Sequence, residues 1–333
     1  MRLLAPAIRS SALVLLSSAY LAQRRPVQRI HVRATTVLAA EDGGDTAADR
    51  GGDGEMWVTA LHRFAIKGLE RDSFARVDLE SGGAFPHDRQ WALLYNDAPQ
   101  QFEPSAPTWL HKANFLCAFT ANQLMASFVS RFDDATGQLI VSRRADGAAL
   151  LRENLEEPDG RRRVGAFFSN VSGRAVSVVS SSGGSGGAGG AGGVSQHHQF
   201  GNTGSGIRAG DGSSRTVHII NSNTVAALSA ASGVPLHADR FRANVILSGA
   251  LPAWREFSWV GRTIRLGAVT LRVIQRTVRC EGINVDARHG SGAADVDVVR
   301  MLETHFPQHG PYLGVYAQVV GGGTVSVGDR VTA

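Results

Sequence analysis

Cysteine is nearly absent from this chain: 333 residues contain two, Cys117 and Cys280. Two thiols cannot build a disulfide framework, and no Cys-x-x-Cys pair or Cys/His cluster at zinc spacing occurs. That usage suits a reducing compartment. Long apolar runs are lacking too. Residues 11–22 are apolar but too few to cross a bilayer comfortably. Acidic residues are missing from residues 1–40, which carry six arginines: Arg2, Arg9, Arg24, Arg25, Arg29 and Arg33. These six explain the pI near 9.7, because over residues 41–333 the remaining 28 basic residues face 29 acidic ones. A near-neutral body offers no sequence support for a nucleic-acid partner, since such proteins carry their basic patch on the folded domain.

The acid-free leader, with Ser10, Ser11, Ser17 and Ser18 among its arginines, has the composition of a transit peptide. Residues 1–40 are therefore predicted to target an organelle, mitochondrion or plastid, and a secretory signal is the competing reading. Residues 41–56 are acidic, polar and Gly-rich, and predict a disordered junction. Residues 181–214 are Gly/Ser-rich and predict a flexible insertion. Their glycine pairs follow no phosphate-loop pattern, and no strand-to-helix context brackets them. His197 and His198 have no further ligands at metal spacing and read as a solvated pair. With 43% hydrophobic and 19% charged residues, the rest must fold around a core. Its length allows about two domains, placed at 57–180 and 215–331.

Short apolar runs at period two dominate both. Residues 57–66, 74–79, 89–95 and 139–142 read as strands of a barrel or sandwich. Arg161-Arg162-Arg163 reads as solvated charge. Residues 216–220 and 244–247 predict further strands, and residues 263–266 and 269–273 flank Gly267-Ala268 as a hairpin. Asn221-Ser222 can cap a helix over 224–231 that Gly233 ends. Residues 295–303 are helix-like, with Asp near the start. Residues 313–320 and 324–331, around Gly321-Gly322-Gly323, predict a closing hairpin. The fold class is mostly β (α+β), with few short helices.

Arg279-Cys280 follows the strand-like run 269–276 and precedes a loop holding Asn284-Val285-Asp286. A thiol at a strand end beside a cation is more easily held as thiolate than one deep in a core, and thiolate suits soft metal centres. A lone Cys is also a common buried hydrophobe, and the local pattern alone leaves both open. If the strand runs through both residues, Arg279 and Cys280 face opposite sides. Cys117, flanked by apolar residues in Phe115-Leu116-Cys117-Ala118-Phe119, reads as core.

Further elements share that order. Lys67-Gly68 ends the first strand, and Pro86-His87-Asp88-Arg89 precedes the third. Asp239-Arg240-Phe241-Arg242-Ala243-Asn244 opens a strand, where Arg240 and Arg242 would share a face. Gly314-Val315-Tyr316 precedes Gly328-Asp329-Arg330, whose Asp329 is expected to fix the barrel end. Taken together, these motifs resemble the MOSC superfamily, named for the C-terminal domain of molybdenum-cofactor sulfurase. The resemblance covers residues 57–180 and 215–331, the first as an N-terminal MOSC β-barrel domain and the second as the MOSC domain. It implies a molybdenum cofactor (Mo-pyranopterin), with Cys280 as metal ligand and catalytic residue. Lys67, Arg89, Arg240, Arg242, Asn244 and Asp286 would be its cofactor-binding set. By analogy with the mitochondrial amidoxime reducing component family, the chain would reduce N-hydroxylated small molecules with electrons from a cytochrome-type donor. A cofactor carrier or sulfur-transfer module without turnover is the alternative. The pyridoxal-phosphate chemistry associated with the sulfurase relatives belongs to a domain not recognisable here. Gly68 replaces the family's common Ser, Ala243 its common Pro, and Ile283 stands near a Thr of the eukaryotic reductases.

Overall fold

The computed structural model describes residues 54–102, 110–181, 200, 216–286, 288 and 296–333. The targeting segment, most of the junction and nearly all of the Gly/Ser-rich insertion lie outside these residues. Strands follow one another as β1 (Met56–Arg63), β2 (Asp72–Phe74), β3 (Arg76–Leu79), β4 (Trp91–Tyr95), β5 (Phe115–Leu116), β6 (Phe128–Asp133), β7 (Gln138–Arg143) and β8 (Ala149–Asn154). They continue as β9 (Val176–Ser180), β10 (Val217–Asn221), β11 (Val245–Gly249), β12 (Thr263–Leu266), β13 (Val269–Val278), β14 (Tyr312–Gly321), β15 (Gly323–Ser326) and β16 (Arg330–Thr332). Helices α1 (Asn122–Ala126), α2 (Pro158–Ser172), α3 (Ser222–Ser232) and α4 (Val298–His305) punctuate them.

Alternation in sequence becomes alternation in burial. In β1, Met56 and Val58 point inward while Trp57 and Thr59 point out, as a strand's period of two requires. Seven strands close a barrel in the order β11-β10-β14-β13-β12-β16-β1, with β1 pairing back onto β11 and β2 attached to β1. The β10–β11 pair is parallel, so it needs a crossover, and α3 lies within it. Asn221 caps α3 by accepting from Asn223 N, and Gly233 ends it at φ 70°, as the sequence predicts. Leu61, Val245, Leu247, Leu266, Leu271 and Val315 fill the interior, each full burial being worth about 1.5–3 kcal/mol.

Two expectations need correction. Residues 313–331 do not form a closing hairpin: β14 pairs with β10 and β13, whereas β15 pairs with β3 and β16 with β12 and β1. Nor do residues 57–180 form a barrel of their own. β1 is a stave of the C-terminal barrel, and β3 joins β15. The remainder makes two three-stranded sheets, β5-β4-β9 and β6-β7-β8, with α2 against β8 and β9. Trp91, Leu93, Phe115, Leu139, Val141 and Phe168 belong to this second core. Phe200, inside the expected insertion, is buried there too, 5.5 Å from the rings of Phe102 and Phe115. The Arg161–Arg163 run lies on α2, where Arg162 meets Asp159 at 3.2 Å and Arg163 meets Glu153 at 2.7 Å.

Arg63, at the end of β1, ties the two cores. It is almost wholly buried, bonds Asp72 at 2.8 Å and the Phe132 carbonyl at 3.0 Å, and also pairs with Asp134. The hydrogen-bonding capacity of a buried guanidinium must be met in this way. Residues Gly51–Ala333 form one compact unit.

Candidate functional site

A cleft of about 670 Å³, counted out to its mouth, opens between the barrel and the second core. Its walls come from every part of the fold. Lys67 and Gly68 follow β1, Arg89 precedes β4, Lys112 opens a 3₁₀ turn, and Cys117 follows β5. His218 comes from β10, Arg242 from the turn after Ala238–Phe241, Thr277 and Val278 from β13, and Tyr316 from β14. Arg279 and Cys280 stand just beyond β13.

Charge is the first property of this cleft. Lys67, Arg89, Lys112, Arg242 and Arg279 line it, and among the described residues no carboxylate does, although Asp88 pairs with Arg89 without lining the cleft. Arg89 and Arg242 both hold left-handed backbone conformations, φ 50° and 54°, which bulky residues rarely adopt without need. Arg89 donates to the Arg242 carbonyl at 3.0 Å, and Arg242 donates to the Leu69 carbonyl at 2.8 Å. Both guanidiniums lie against the Phe64 ring, at 4.6 and 4.3 Å. Burial and the nearby Arg89 charge bring Arg242 down to about 10, and burial brings Lys67 down to about 8. So many cations crowded into low dielectric favour an anion among them.

Gly68 explains its own departure from serine. At φ 96°, its missing Cβ would fall 2.6 Å from the Cα of Cys117. A side chain there would push back the segment that brings Cys117 to the cleft.

Cys280 is half-buried and Arg279 is buried. Both line the cleft, contrary to the expected opposite facing, because β13 ends at Val278 and Cys280 caps a 3₁₀ turn over Glu281–Ile283. The Arg279 guanidinium donates to the Phe241 carbonyl at 2.8 Å and lies 3.3 Å from His218 Nε2. An Arg offers only donors, so His218 Nε2 accepts and the imidazole carries its proton on Nδ1, by inference from the bonding. Burial, then the charges of Arg279 and Arg89, hold His218 well below its ordinary range, so it is neutral. Its ring packs on Tyr316, centroids 5.0 Å apart, and burial pushes the Tyr316 hydroxyl up. Two buried polar atoms at this wall, Thr277 Oγ1 and Arg279 Nε, have no partner among the described residues. Buried polar atoms normally have one.

The remaining expected site residues lie apart from the cleft. Arg240 and Asp286 line an adjoining pocket with Glu70, Arg71, Asp239 and Arg288, across a partition formed by Gly68, Ala118, Gly282 and Arg242. The strand expected to put Arg240 and Arg242 on one face is a 3₁₀ turn, so only Arg242 reaches both pockets. Arg240 donates to the Ile283 carbonyl at 3.0 Å and meets Asp286 at 3.6 Å. Burial pushes the Asp286 carboxyl up, but the hydrogen bonds and charge of Arg288, with the charge of Arg240, hold it at about 2. Both residues fix the loop behind Cys280. Asn244 lines neither pocket. Its side chain accepts from His218 N at 3.0 Å and donates to the His62 carbonyl at 3.1 Å, clasping β10 to β1. Asp329 accepts from Ser326 N at 2.8 Å and shapes the barrel end.

Sequence reasoning gave no role in the cleft to Lys112, Cys117 or His218, and named Tyr316 only within a motif. Cys117 is buried as expected, yet it also lines the cleft. His218 and Tyr316 sit opposite each other on β10 and β14, and each is a polar position between inward apolar neighbours, a signal that pairing alone makes readable. Lys112, 3.9 Å from the Phe119 ring, carried no motif.

Residues 195–332 match the family model of the MOSC domain. Over that range, 138 of the 333 residues, the chain is similar to a MOSC domain. The matched range leaves out β1, the stave that closes the barrel. No protein of curated function matches the chain. Among solved structures it is similar to YuaD from Bacillus subtilis, at 12% identity and TM-score 0.35, covering 83% of this chain and 94% of that one. It is also similar to YiiM from Geobacillus stearothermophilus, at 19% identity and TM-score 0.26, covering 35% of this chain and about half, 52%, of that one.

Proposed function

We propose that the protein binds a molybdenum cofactor in this cleft through Cys280 and reduces N-hydroxylated small molecules. The observation that carries this reading is a half-buried thiol at one wall of a cleft whose described lining holds five cations and no carboxylate. The donor set fits the group. Among the described residues no cluster of three or more metal-ligating side chains gathers, so the cleft suits a metal that brings most of its ligands with it. Cys280 offers the one soft donor required. Lys67, Arg89 and Arg242 would take the phosphate, with arginine suited to paired contacts. Thr277 Oγ1 and Arg279 Nε remain to bond the rest. When bound, the cofactor supplies a redox-active metal able to exchange oxygen with the substrate. The chain's own residues bind, orient and shield it. Neutral His218, held by Arg279, keeps its proton on Nδ1 toward the Arg242 carbonyl, 3.4 Å away. A second reading, cofactor carriage or sulfur transfer, draws support from the Cys117 thiol, which the reductase reading leaves idle.

The test is to produce the full chain in a host that makes the cofactor and to measure bound molybdenum. Native protein should retain it and Cys280→Ala should lose at least tenfold. Equal content in both, or none in either, overturns the ligand assignment. Reduction of N-hydroxylated compounds with an artificial electron donor then separates enzyme from carrier, and transfer to an apo-enzyme without reduction favours the carrier.

A further inference from the structure

The outer wall of the barrel carries charge that the overall balance hides. Arg262, before β12, Arg265 on β12, Arg272 and Arg276 on β13 and Arg330 on β16 are all exposed. None has an ion-pair or hydrogen-bond partner for its side chain among the described residues. The strand registers join the sheet positions in one surface. Arg265 lies opposite both Thr332 and Thr270, Arg272 opposite both Thr263 and Gln318, and Arg330 opposite Trp57. Asp329, the carboxylate adjacent in sequence, is turned to Ser326 N.

Apolar area is exposed beside these charges. Trp57 is 36% exposed, Val260 39% and Val278 37%. Val260 and Val278 line a groove with Phe257, Arg276 and Tyr312, where the Arg276 guanidinium lies 4.5 Å from the Phe257 ring. Val278 also lines the cleft, two residues before Cys280. On β14, Gln318 opposite Arg272 is two residues from Tyr316 in the cleft wall. The arginine face therefore runs to the mouth of the cleft.

Folding gains nothing from five exposed arginines left without a partner, three of which, Arg265, Arg272 and Arg330, the registers set on one sheet face, and their mutual repulsion opposes the compact state. Spaced arginines with an exposed Trp and valines match the composition of protein interfaces. Membrane-binding basic segments instead run as contiguous clusters or lie on amphipathic helices. We propose that this face docks the acidic surface of an electron-carrier protein, whose contact would end at the cleft beside Val278. The carrier's role rests on the reductase reading; the docking of an acidic surface does not.

The experiment uses the full, cofactor-loaded chain and the combined variant Arg265→Glu, Arg272→Glu, Arg330→Glu. Arg131→Glu, exposed on β6 of the second core, is the control. Probes are a soluble acidic cytochrome, a basic cytochrome of similar size, phosphatidylserine vesicles and a duplex DNA oligonucleotide. The expected result is salt-sensitive binding of the acidic cytochrome, at least tenfold weaker in the triple variant and unchanged in the control. Matching thermal melts would exclude misfolding. Turnover with an artificial donor should be the same in all three proteins. Absence of binding, binding the triple variant retains, or a stronger triple-sensitive response to vesicles or DNA overturns the proposal. If no protein turns over with the artificial donor, the reductase reading fails, while the binding comparison still decides the face.

Discussion

Lys67 ought to switch its charge near physiological pH. Burial brings it down to about 8, so it is charged below that value and neutral above. Anion affinity should therefore be level below pH 7 and fall as pH rises through about 8. Sulfate is the clean probe, since its own charge is constant there, and calorimetry on Lys67→Met should give weaker binding without that step. Bound anion holds the proton on, so saturation should move the midpoint upward. At this scale the site was half legible. Lys67, Arg89, Arg242 and Cys280 carried motifs and meet in one cleft. Arg240, Asn244 and Asp286 carried motifs as strong, but they clamp the loop and strands around it. Spacing cannot separate lining from bracing, because both depend on which way a turn sends the side chain.

Single elements are held by buried polar groups as much as by apolar faces. Removing Arg63 would strand Asp72 and the Phe132 carbonyl between two cores. Arg63→Ala should lower unfolding free energy by about 3–5 kcal/mol, the usual loss when one partner of a buried pair is deleted, read by urea denaturation. Glu256 acts in the opposite sense. It is buried against Thr224 Oγ1 at 2.9 Å and Asn221 Nδ2 at 3.2 Å, and burial pushes its carboxyl up to about 7. Unfolded, it releases its proton near 4.5, so between these values the folded chain binds the extra proton. Stability should then decline as pH rises from about 5 to 7, by on the order of 2–3 kcal/mol from this group. Glu256→Gln should flatten that slope in melts taken across the range. Elements themselves were legible where period and cap agreed, as in β12–β13 and α3. β15 was misplaced because alternation fixes which face a strand buries but not its partner. α2 was missed because a helix of mean polarity behind Pro158 and Asp159 reads like a charged loop.

At the scale of the molecule, the near-neutral balance of residues 41–333 concealed segregation: cations in the cleft, arginines on the barrel wall, and acids such as Glu70, Asp72 and Asp88 held in pairs within the fold. Composition averages over position, so only the fold could separate them. The domain boundary was hidden for a related reason, since β1 is separated from its partners by most of the chain. A fragment starting at residue 195 would leave β11 and β16 with bare edges where β1 belongs, and unpaired edges invite aggregation. Such a fragment should be insoluble or give no cooperative melt, and adding residues 54–63 as a peptide should raise its solubility if the edge is the cause. The closing stave has a consequence for synthesis as well. β1 is the first of the described strands to leave the ribosome, yet its long seam with β11 must wait for that strand, and its seam with β16 for the last one. Lys67 and Arg89, which follow β1, have Cys280 and Tyr316 as opposite walls only once β13 and β14 have emerged. A nascent chain therefore has no complete binding cleft, and any ligand that needs both walls can enter only a finished protein.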